Sequence, residues 1–193
     1  MNLAGREVEG LDFGFEWRVP KIRFGQFTLR GEGTYLVTFD TEAEPGAIPV
    51  NNINRDGRTR FRGNVGALFR HGRWTTGWFT TYYGNFVDTT ASTTEEVYHA
   101  LGQPDYISSY VDTGGVRRYR YLVSSAINHN AYISYTLPRR RDGRWLSNLS
   151  LRFGVNNVLD AEPPLADEDY GYRRGAATNP RGRAFYAQLT KRF

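Results

Sequence analysis

The sequence predicts an all-β fold, an antiparallel meander of about seven long amphipathic strands that forms part of a transmembrane β-barrel. Three observations favour this fold. Aromatic residues make up 15% of the chain, and their abundance beside threonine, asparagine and glycine is typical of pleated sheets. Apolar and polar residues alternate with a period of two over segments longer than the roughly 5–6 residues of most globular strands. Short and long connections alternate between these segments, as they do in outer-membrane barrels.

The N-terminal half of the chain contains four predicted strands. The first is "VEGLDFGFEWRV", in which the alternate apolar positions are Leu11, Phe13, Phe15, Trp17 and Val19. The alternation returns in "FTLRGEGTYLVTF", residues 27–39, and in "RFRGNVGALFR", residues 60–70. The "HGR" sequence at 71–73 predicts a tight hairpin turn. It leads into "WTTGWFTTYYGNFV", where the apolar residues in phase are Trp74, Trp78, Tyr82 and Phe86.

Three more strands are predicted in the C-terminal half. Residues 118–137, "RYRYLVSSAINHNAYISYTL", form one continuous amphipathic strand in this interpretation. The segments "WLSNLSLRFGVNNVL" (145–159) and "GRAFYAQLTKRF" (182–193) alternate in the same way. Polar, proline- and glycine-containing segments predict long connections over 40–58, 88–115 and 159–181. Short turns are predicted at Pro20, Gly72 and Arg140.

The apolar parity of these strands favours contact with lipid over a packed protein interior. Smaller or aliphatic residues lie toward the middle of the strands, and aromatic residues lie near their ends, as in the girdles at the two membrane interfaces. The aromatic residues at the ends are Trp17, Phe39, Trp74, Phe86, Tyr119, Trp145 and Phe193. No run approaches the roughly 18 consecutive apolar residues of a membrane helix, so no helical span is predicted. Membrane strands do not produce such runs, because their alternating polar residues lower the average hydropathy.

Charge and cysteine content limit the function classes. The net charge is +5 and is carried by arginines spread along the chain, since Lys21 and Lys191 are the only lysines. A nucleic-acid partner is not predicted, because such proteins gather their positive charge on one face. The absence of cysteine excludes disulfides and thiolate zinc sites. The first ten residues lack the pattern of a secretory signal.

Two motifs stand near the C-terminus, "RFGVNNVLDAEPP" (152–164) and "NPRGRAFYAQLTKRF" (179–193). The first resembles the exit from the penultimate strand of TonB-dependent outer-membrane receptors, and the second resembles the last strand of that family. The matching residues are Asn157, Val158, Leu159, Asp160, Pro163, Pro164, Arg181, Gly182, Arg183 and Phe193. Two positions depart from the pattern, because Asn179 stands where aspartate is commoner and Lys191 where an aromatic residue usually precedes the final Arg-Phe.

The resemblance implies a transport function in the bacterial outer membrane. Residues 1–193 would be the C-terminal barrel segment of an energy-coupled receptor that imports a scarce nutrient such as a ferric siderophore, a glycan or a vitamin. The plug domain and the contact with TonB would belong to an N-terminal part that these residues do not contain. The other partners implied are outer-membrane lipid and the barrel-assembly machinery, whose signal would include Phe185, Leu189 and Phe193.

The long connections would lie outside the cell and bind the small-molecule or glycan substrate. Tyrosine and arginine side chains in and beside them offer stacking surface and positive charge for an anionic chelate or a glycan. The predicted ligand-binding residues are Tyr98, Tyr106, Tyr110, Arg117, Tyr170, Tyr172, Arg173 and Arg174. No catalytic residues, metal site or cofactor are predicted, since the three histidines are far apart in sequence.

Two alternatives remain open from the sequence. A complete small outer-membrane barrel of eight strands, acting as an adhesin or a membrane enzyme, is compatible with the length of the chain. A soluble β-barrel that binds an apolar ligand is the other. It requires the apolar side chains to converge in a dry interior and the polar side chains to face water.

Overall fold

The computed structural model describes residues 5–20, 22–90, 92–138, 148–167 and 180–191. These residues form two antiparallel sheets and one short helix, which confirms the predicted all-β class. In chain order the elements are β1 (Arg6–Arg18), β2 (Gln26–Thr41), β3 (Val50–Asn51), β4 (Phe61–His71), β5 (Trp74–Tyr83), β6 (Phe86–Asp88), α1 (Glu95–Ala100), β7 (Ile107–Val111), β8 (Arg117–Val123), β9 (Ala126–Thr136), β10 (Leu149–Asn156) and β11 (Ala184–Lys191).

The main sheet is an antiparallel meander of seven long strands in the order β1-β2-β4-β5-β9-β10-β11, and the short β3 pairs with the end of β2. β1 and β11 are the two edges, and within the described residues the sheet is open rather than closed into a barrel. Six antiparallel pairings separate the two edge strands. They therefore run in the same direction.

The turn between β4 and β5 has the tight form that "HGR" predicts. His71 pairs with Trp74 across two intervening residues, and Gly72 adopts a left-handed φ of +57°. Glycine takes this conformation without the steric penalty of a Cβ atom.

Each strand contributes its apolar parity to one continuous face of the main sheet. The pairing aligns a row of apolar residues across all seven strands. The residues in this row are Trp17, Leu29, Ala67, Trp78, Ala131, Val155 and Phe185. The register also places a row of polar residues on the opposite face, and this row contains Gln26, Arg70, Thr75, Ser134, Arg152 and Gln188.

The apolar face is largely uncovered. Phe185 is 77% exposed and Phe153 is 58% exposed. Val65 and Ile127, which a soluble barrel would bury in a dry interior, are 43% and 46% exposed. Within the described residues, the cluster of buried apolar side chains lies in the second sheet and its surroundings instead.

The second sheet corrects two of the predicted segments. Residues 88–115 are not a structureless connection, because they contain α1 and β7. Residues 118–137 are not one strand, because β8 pairs with β6 and β7 while β9 belongs to the main sheet. Phe86 and Tyr119 are 6% and 5% exposed, so neither belongs to an aromatic girdle. The hydrophobic effect holds Phe86 in a small core with Val123 and Ala166, and Tyr119 packs against Tyr98.

Candidate functional site

The three long connections leave the same end of the main sheet. They follow β2, β5 and β10, which all run toward that end. We call the described residues of these connections (42–60, 84–125 and 157–183) the cap. The short turn after β1 and the turn after β4 lie at the opposite end, so the predicted asymmetry of the connections is confirmed for these elements.

Hydrogen bonds tie the first two connections of the cap together. The amide of Val87 donates to the carbonyl of Asn54 at 2.7 Å, and the amide of Asp56 donates to the carbonyl of Val87 at 2.9 Å. The Asp56 carboxylate accepts bonds from the amide and hydroxyl of Thr89 at 2.8 and 3.0 Å. These four contacts make a single folded unit from segments that are distant in sequence.

The third connection joins the same unit. Asp167 accepts a hydrogen bond from the amide of Ser92 in the second connection. Ala166 is 3% exposed and packs with Phe86 and Val123, with the partly buried Tyr121 against them. Hydrogen bonds and one small apolar core thus join all three connections. We therefore expect the surface of the cap to be ordered before a ligand binds.

The cap contains the described members of the predicted ligand-binding set, and two of them mainly pack. The half-buried ring of Tyr98 in α1 lies 5.1 Å from that of Tyr119. The ring of Tyr106 lies 5.6 Å from that of Tyr121. Aromatic contacts at such distances stabilise the fold. These tyrosines therefore support the cap from within.

The other two, Tyr110 and Arg117, line a cleft of about 550 Å³, which we call the cap cleft. Its walls come from the segment after β6, the start of α1, and the β7–β8 hairpin. The lining residues are Thr89, Thr90, Ser92, Thr93, Thr94, Glu95, Tyr110, Arg117, Arg118 and Tyr119. The structure thus brings together one predicted aromatic residue and one predicted arginine.

Hydroxyl groups dominate the cap cleft, and Asp88 fixes the start of the segment that bears them. The Asp88 side chain is 1% exposed, and its Oδ1 accepts bonds from the amide and hydroxyl of Thr90 at 3.0 and 2.6 Å. These bonds satisfy an otherwise costly buried carboxylate. The Thr94 hydroxyl caps α1 by accepting from the amide of Val97 at 3.3 Å.

The two arginines of the cap cleft differ in their partners. Arg118 donates through Nε to Asp112 at 3.0 Å, whereas Arg117 forms no ion pair with any residue in the described ranges. The Tyr119 hydroxyl is buried and has no hydrogen-bond partner in the described part of the chain. The cap cleft has one carboxylate, Glu95, among its many hydroxyls, and Arg117 supplies a guanidinium without an ion pair in the described residues. This lining suits a polar ligand with several hydroxyl groups and an anionic group.

Asp112 organises the β7–β8 hairpin beside the cap cleft. Its Oδ1 accepts from the amides of Gly114 and Val116, each at 2.9 Å. The amide of Val116 and the side chain of Arg118 are the main causes that lower the pKa of the Asp112 carboxyl below its ordinary value. The carboxylate therefore stays charged and holds the turn at neutral pH.

The remaining predicted residues lie elsewhere. Tyr170, Tyr172, Arg173, Arg174 and Phe193 fall outside the described residues. Phe185 and Leu189 lie on β11, on the apolar face, and are 77% and 56% exposed. The prediction missed the hydroxyl-bearing residues of the cap cleft, although the run "DTTASTTEE" at 88–96 signals a helix cap that follows several hydroxyls.

The motif behind the family resemblance forms the neck of the third connection. Asn157 is 2% exposed, and its side chain exchanges hydrogen bonds with the backbone of Ala161 at 2.8 and 2.9 Å. Asp160 accepts a bond from the amide of Arg183, at the start of the last strand, at 2.7 Å. Asn157 thus shapes the segment that leaves β10, and Asp160 joins this segment to the one that enters β11.

The described residues contain neither a cluster of metal-binding side chains nor a membrane-spanning helix. No group of three or more histidine, aspartate or glutamate side chains in these ranges is placed to hold a metal ion. No helix in the same ranges has the length and apolarity needed to cross a bilayer.

Comparisons of the chain with protein-family models, with curated proteins and with solved structures found no match. The family resemblance therefore depends on the sequence motifs alone.

Proposed function

We propose that this chain forms part of the wall of an outer-membrane β-barrel, as the C-terminal barrel segment of an energy-coupled receptor that imports a scarce nutrient. One observation carries the membrane part of this proposal. The row of apolar residues crosses all seven strands of the main sheet on an uncovered face. Exposed apolar surface of this extent is rare on soluble monomers and marks a membrane or protein contact.

The opposite face supports the same assignment because its polar groups pair across strands. The Thr34 hydroxyl donates to Asp12 at 2.7 Å, and the Asn64 amide donates to Glu32 at 2.9 Å. Barrel walls have this division, with apolar side chains toward lipid and polar side chains toward the lumen. A soluble barrel has the reverse division, and the exposure of Val65 and Ile127 weighs against it.

The direction of the edge strands supports a larger barrel. β1 and β11 run in parallel, so joining them directly would create a parallel seam in an otherwise antiparallel sheet. An odd number of additional strands restores antiparallel pairing at both edges. A plugged outer-membrane transporter has roughly 22 strands. Seven of them would be the main sheet, so about fifteen further strands would be needed, and fifteen is an odd number. An eight-stranded barrel needs one strand besides the seven of the main sheet. One is also an odd number, so the eight-stranded barrel is the second candidate.

The cap lies outside the cell in this proposal, and the cap cleft is where the nutrient makes its first contacts. Its hydroxyls, Tyr110 and Arg117 favour a ligand with hydroxyl and anionic groups, such as an acidic glycan or an anionic chelate.

Lipid exposure can be tested directly because the chain contains no cysteine. Val65→Cys and Asn64→Cys place single labels on neighbouring positions of β4 that face opposite sides of the sheet. With a fluorescent label and vesicles that contain brominated phosphatidylcholine, we expect strong quenching at position 65 and little at position 64. Equal quenching at both positions would contradict the proposal.

The receptor part of the proposal has a separate test in the coding sequence on the 5′ side of Met1. A plug domain and about fifteen further strands are expected in the same reading frame. A stop codon followed closely by a secretory signal would favour the eight-stranded barrel instead.

A further inference from the structure

A second polar cleft lies on the main sheet, far from the cap in the fold. Two rows of the polar face form it, near the ends of β9, β10 and β11 opposite to the cap. Thr136, Ser150 and Thr190 pair in one row, and Arg152 pairs with Gln188 in the next. We call it the Arg152 cleft; its volume is about 230 Å³, and its lining residues are Thr136, Asn148, Ser150, Arg152, Gln188 and Thr190.

The guanidinium of Arg152 is held in place without being neutralised. Its Cζ atom lies 4.2 Å from the centre of the Tyr132 ring, a contact that fixes one face of the planar group. Within the described residues, Arg152 makes no ion pair. Stacking leaves the N–H donors at the edge of the guanidinium free, and these donors match the oxygens of a carboxylate or phosphate.

Among the described residues, the rest of the Arg152 cleft supplies hydrogen-bond donors and no acidic side chain. Three hydroxyls and two amides complete this lining, and each of these groups can donate a hydrogen bond to an anion. The hydroxyls of Thr136 and Ser150 lie 3.3 Å apart and share one hydrogen bond. The volume of about 230 Å³ exceeds the roughly 30 Å³ that one water occupies in the liquid several times over. A small oxyanion with part of its hydration fits.

Other arginines on the same face lie in a different electrostatic setting. Arg62 shares its cleft with Asp12 and Glu32, and Arg30 shares a cleft with Glu16 and Glu32. Carboxylates beside these arginines reduce the attraction for an anion. The Arg152 cleft has a guanidinium, and the described residues of its lining include no acidic side chain.

We infer that the Arg152 cleft is an oxyanion-binding site that accepts a phosphate or carboxylate group of a small solute. The guanidinium supplies charge and a bidentate contact. The hydroxyls of Ser150 and Thr190 and the amide of Gln188 supply the remaining donors. The inference does not depend on the membrane assignment, since the cleft is formed by three paired strands of the described sheet.

The test measures binding of inorganic phosphate and, separately, of acetate to the folded chain by isothermal titration at fixed ionic strength. We expect saturable binding of at least one of the two anions, and the stronger of the two identifies the preferred group. Arg152→Gln should weaken this binding about tenfold or more, because a charge-assisted contact is lost. Arg62→Gln is the matched control and should change it less than about twofold.

Two further variants separate binding from folding. Thr190→Val keeps the β-branched shape of an exposed residue and should weaken binding a few-fold without changing the circular dichroism spectrum. Arg30→Gln removes a guanidinium that shares its cleft with Glu16 and Glu32, so it should leave the phosphate or acetate affinity unchanged. Absence of saturable binding, an equal loss with Arg62→Gln, or a loss confined to Arg30→Gln would each overturn the inference.

Discussion

At the scale of single residues, glycines of the main sheet let aromatic rings lie flat on it. A Cβ atom at Gly77 would lie 2.3 Å from the Tyr132 ring, and one at Gly154 would lie 2.2 Å from the Tyr186 ring. Real Cβ contacts do not reach such distances, so these rings occupy the space that a larger residue needs. Gly77 thus leaves room for Tyr132 in the position where its ring contacts Arg152.

This arrangement predicts the effect of Gly77→Ala. The added methyl group forces the Tyr132 ring away from the sheet, and we expect a loss of about 1–3 kcal/mol in the free energy of unfolding. In a Tyr132→Ala background the same substitution should cost much less, because the clash is gone. Urea unfolding of the two single variants and the double variant measures the difference. An equal cost in both backgrounds would show that the ring does not cause the effect.

The sequence indicates part of this arrangement and leaves the rest open. Alternation assigns Tyr132 and Arg152 to the polar parity, and this assignment agrees with the pairing. Each ring covers a glycine directly opposite it on a neighbouring strand, Tyr132 opposite Gly77 and Tyr186 opposite Gly154. Those contacts follow from the register, which a single sequence does not determine.

At the scale of elements, the β7–β8 hairpin is held by one carboxylate. Asp112 accepts two backbone amides and the side chain of Arg118, and its folded-state pKa is lower than its ordinary value of 3.8. A lowered pKa stabilises the folded hairpin at pH values above that of the unfolded group. This stabilisation is lost as the pH falls through the folded-state pKa.

Acidification should therefore open the turn of this hairpin before the main sheet unfolds. We expect the amides of Gly114 and Val116 to lose protection against hydrogen exchange as the pH falls below about 4, after correction for the intrinsic pH dependence of exchange. Asp112→Asn keeps one acceptor oxygen but cannot titrate, so its protection should be lower and nearly independent of pH over the same range. The prediction is wrong if both proteins respond alike.

Element boundaries show where local sequence patterns suffice. The predicted strand 60–70 agrees with β4 within one residue at each end, because its alternation and flanking turn are both clear. The predicted strand 118–137 fails at Ser124 and Ser125, between β8 and β9. Ser124 and Ser125 belong to neither strand, yet they keep the alternation of apolar and polar residues. The boundary between β8 and β9 is therefore set by the burial of Tyr119 and Val123 in the cap.

Only two residues of the cap cleft, Tyr110 and Arg117, were predicted from the sequence. They lie near each other at the ends of the β7–β8 hairpin, although the pairing places Tyr110 opposite Arg118 and Arg117 opposite Val111. Tyr98 and Tyr106 lie in the same polar segment of the sequence as Tyr110, yet their rings pack against Tyr119 and Tyr121. The polarity of the surrounding sequence does not distinguish a tyrosine that packs inside the cap from one that lines the cap cleft.

At the scale of the whole molecule, the main sheet divides the strands into an apolar and a polar face. Val65 and Asn64 are adjacent near the middle of β4 and lie on opposite faces. On the proposed membrane assignment, position 65 contacts hydrocarbon, whereas position 64 faces Glu32. A charge placed at the two sites thus meets opposite environments.

Val65→Arg should lower the free energy of unfolding from phospholipid vesicles by roughly 2–4 kcal/mol, since it places a cation near the bilayer midplane. Asn64→Arg is the control and should be close to neutral, because the new guanidinium lies beside a carboxylate. Guanidinium chloride titrations of the vesicle-bound proteins provide both values. Similar tolerance at the two positions would reject contact with lipid at position 65.

The hydrogen bond from the amide of Arg183 to Asp160 has a consequence for how this protein can diversify. It joins Asp160, which follows β10, to Arg183, which precedes β11. Because this contact holds the two strand ends together, the sequence between them can change while β10 and β11 keep their alignment. The protein can in this way acquire new surface chemistry at this site while the main sheet keeps its pairing.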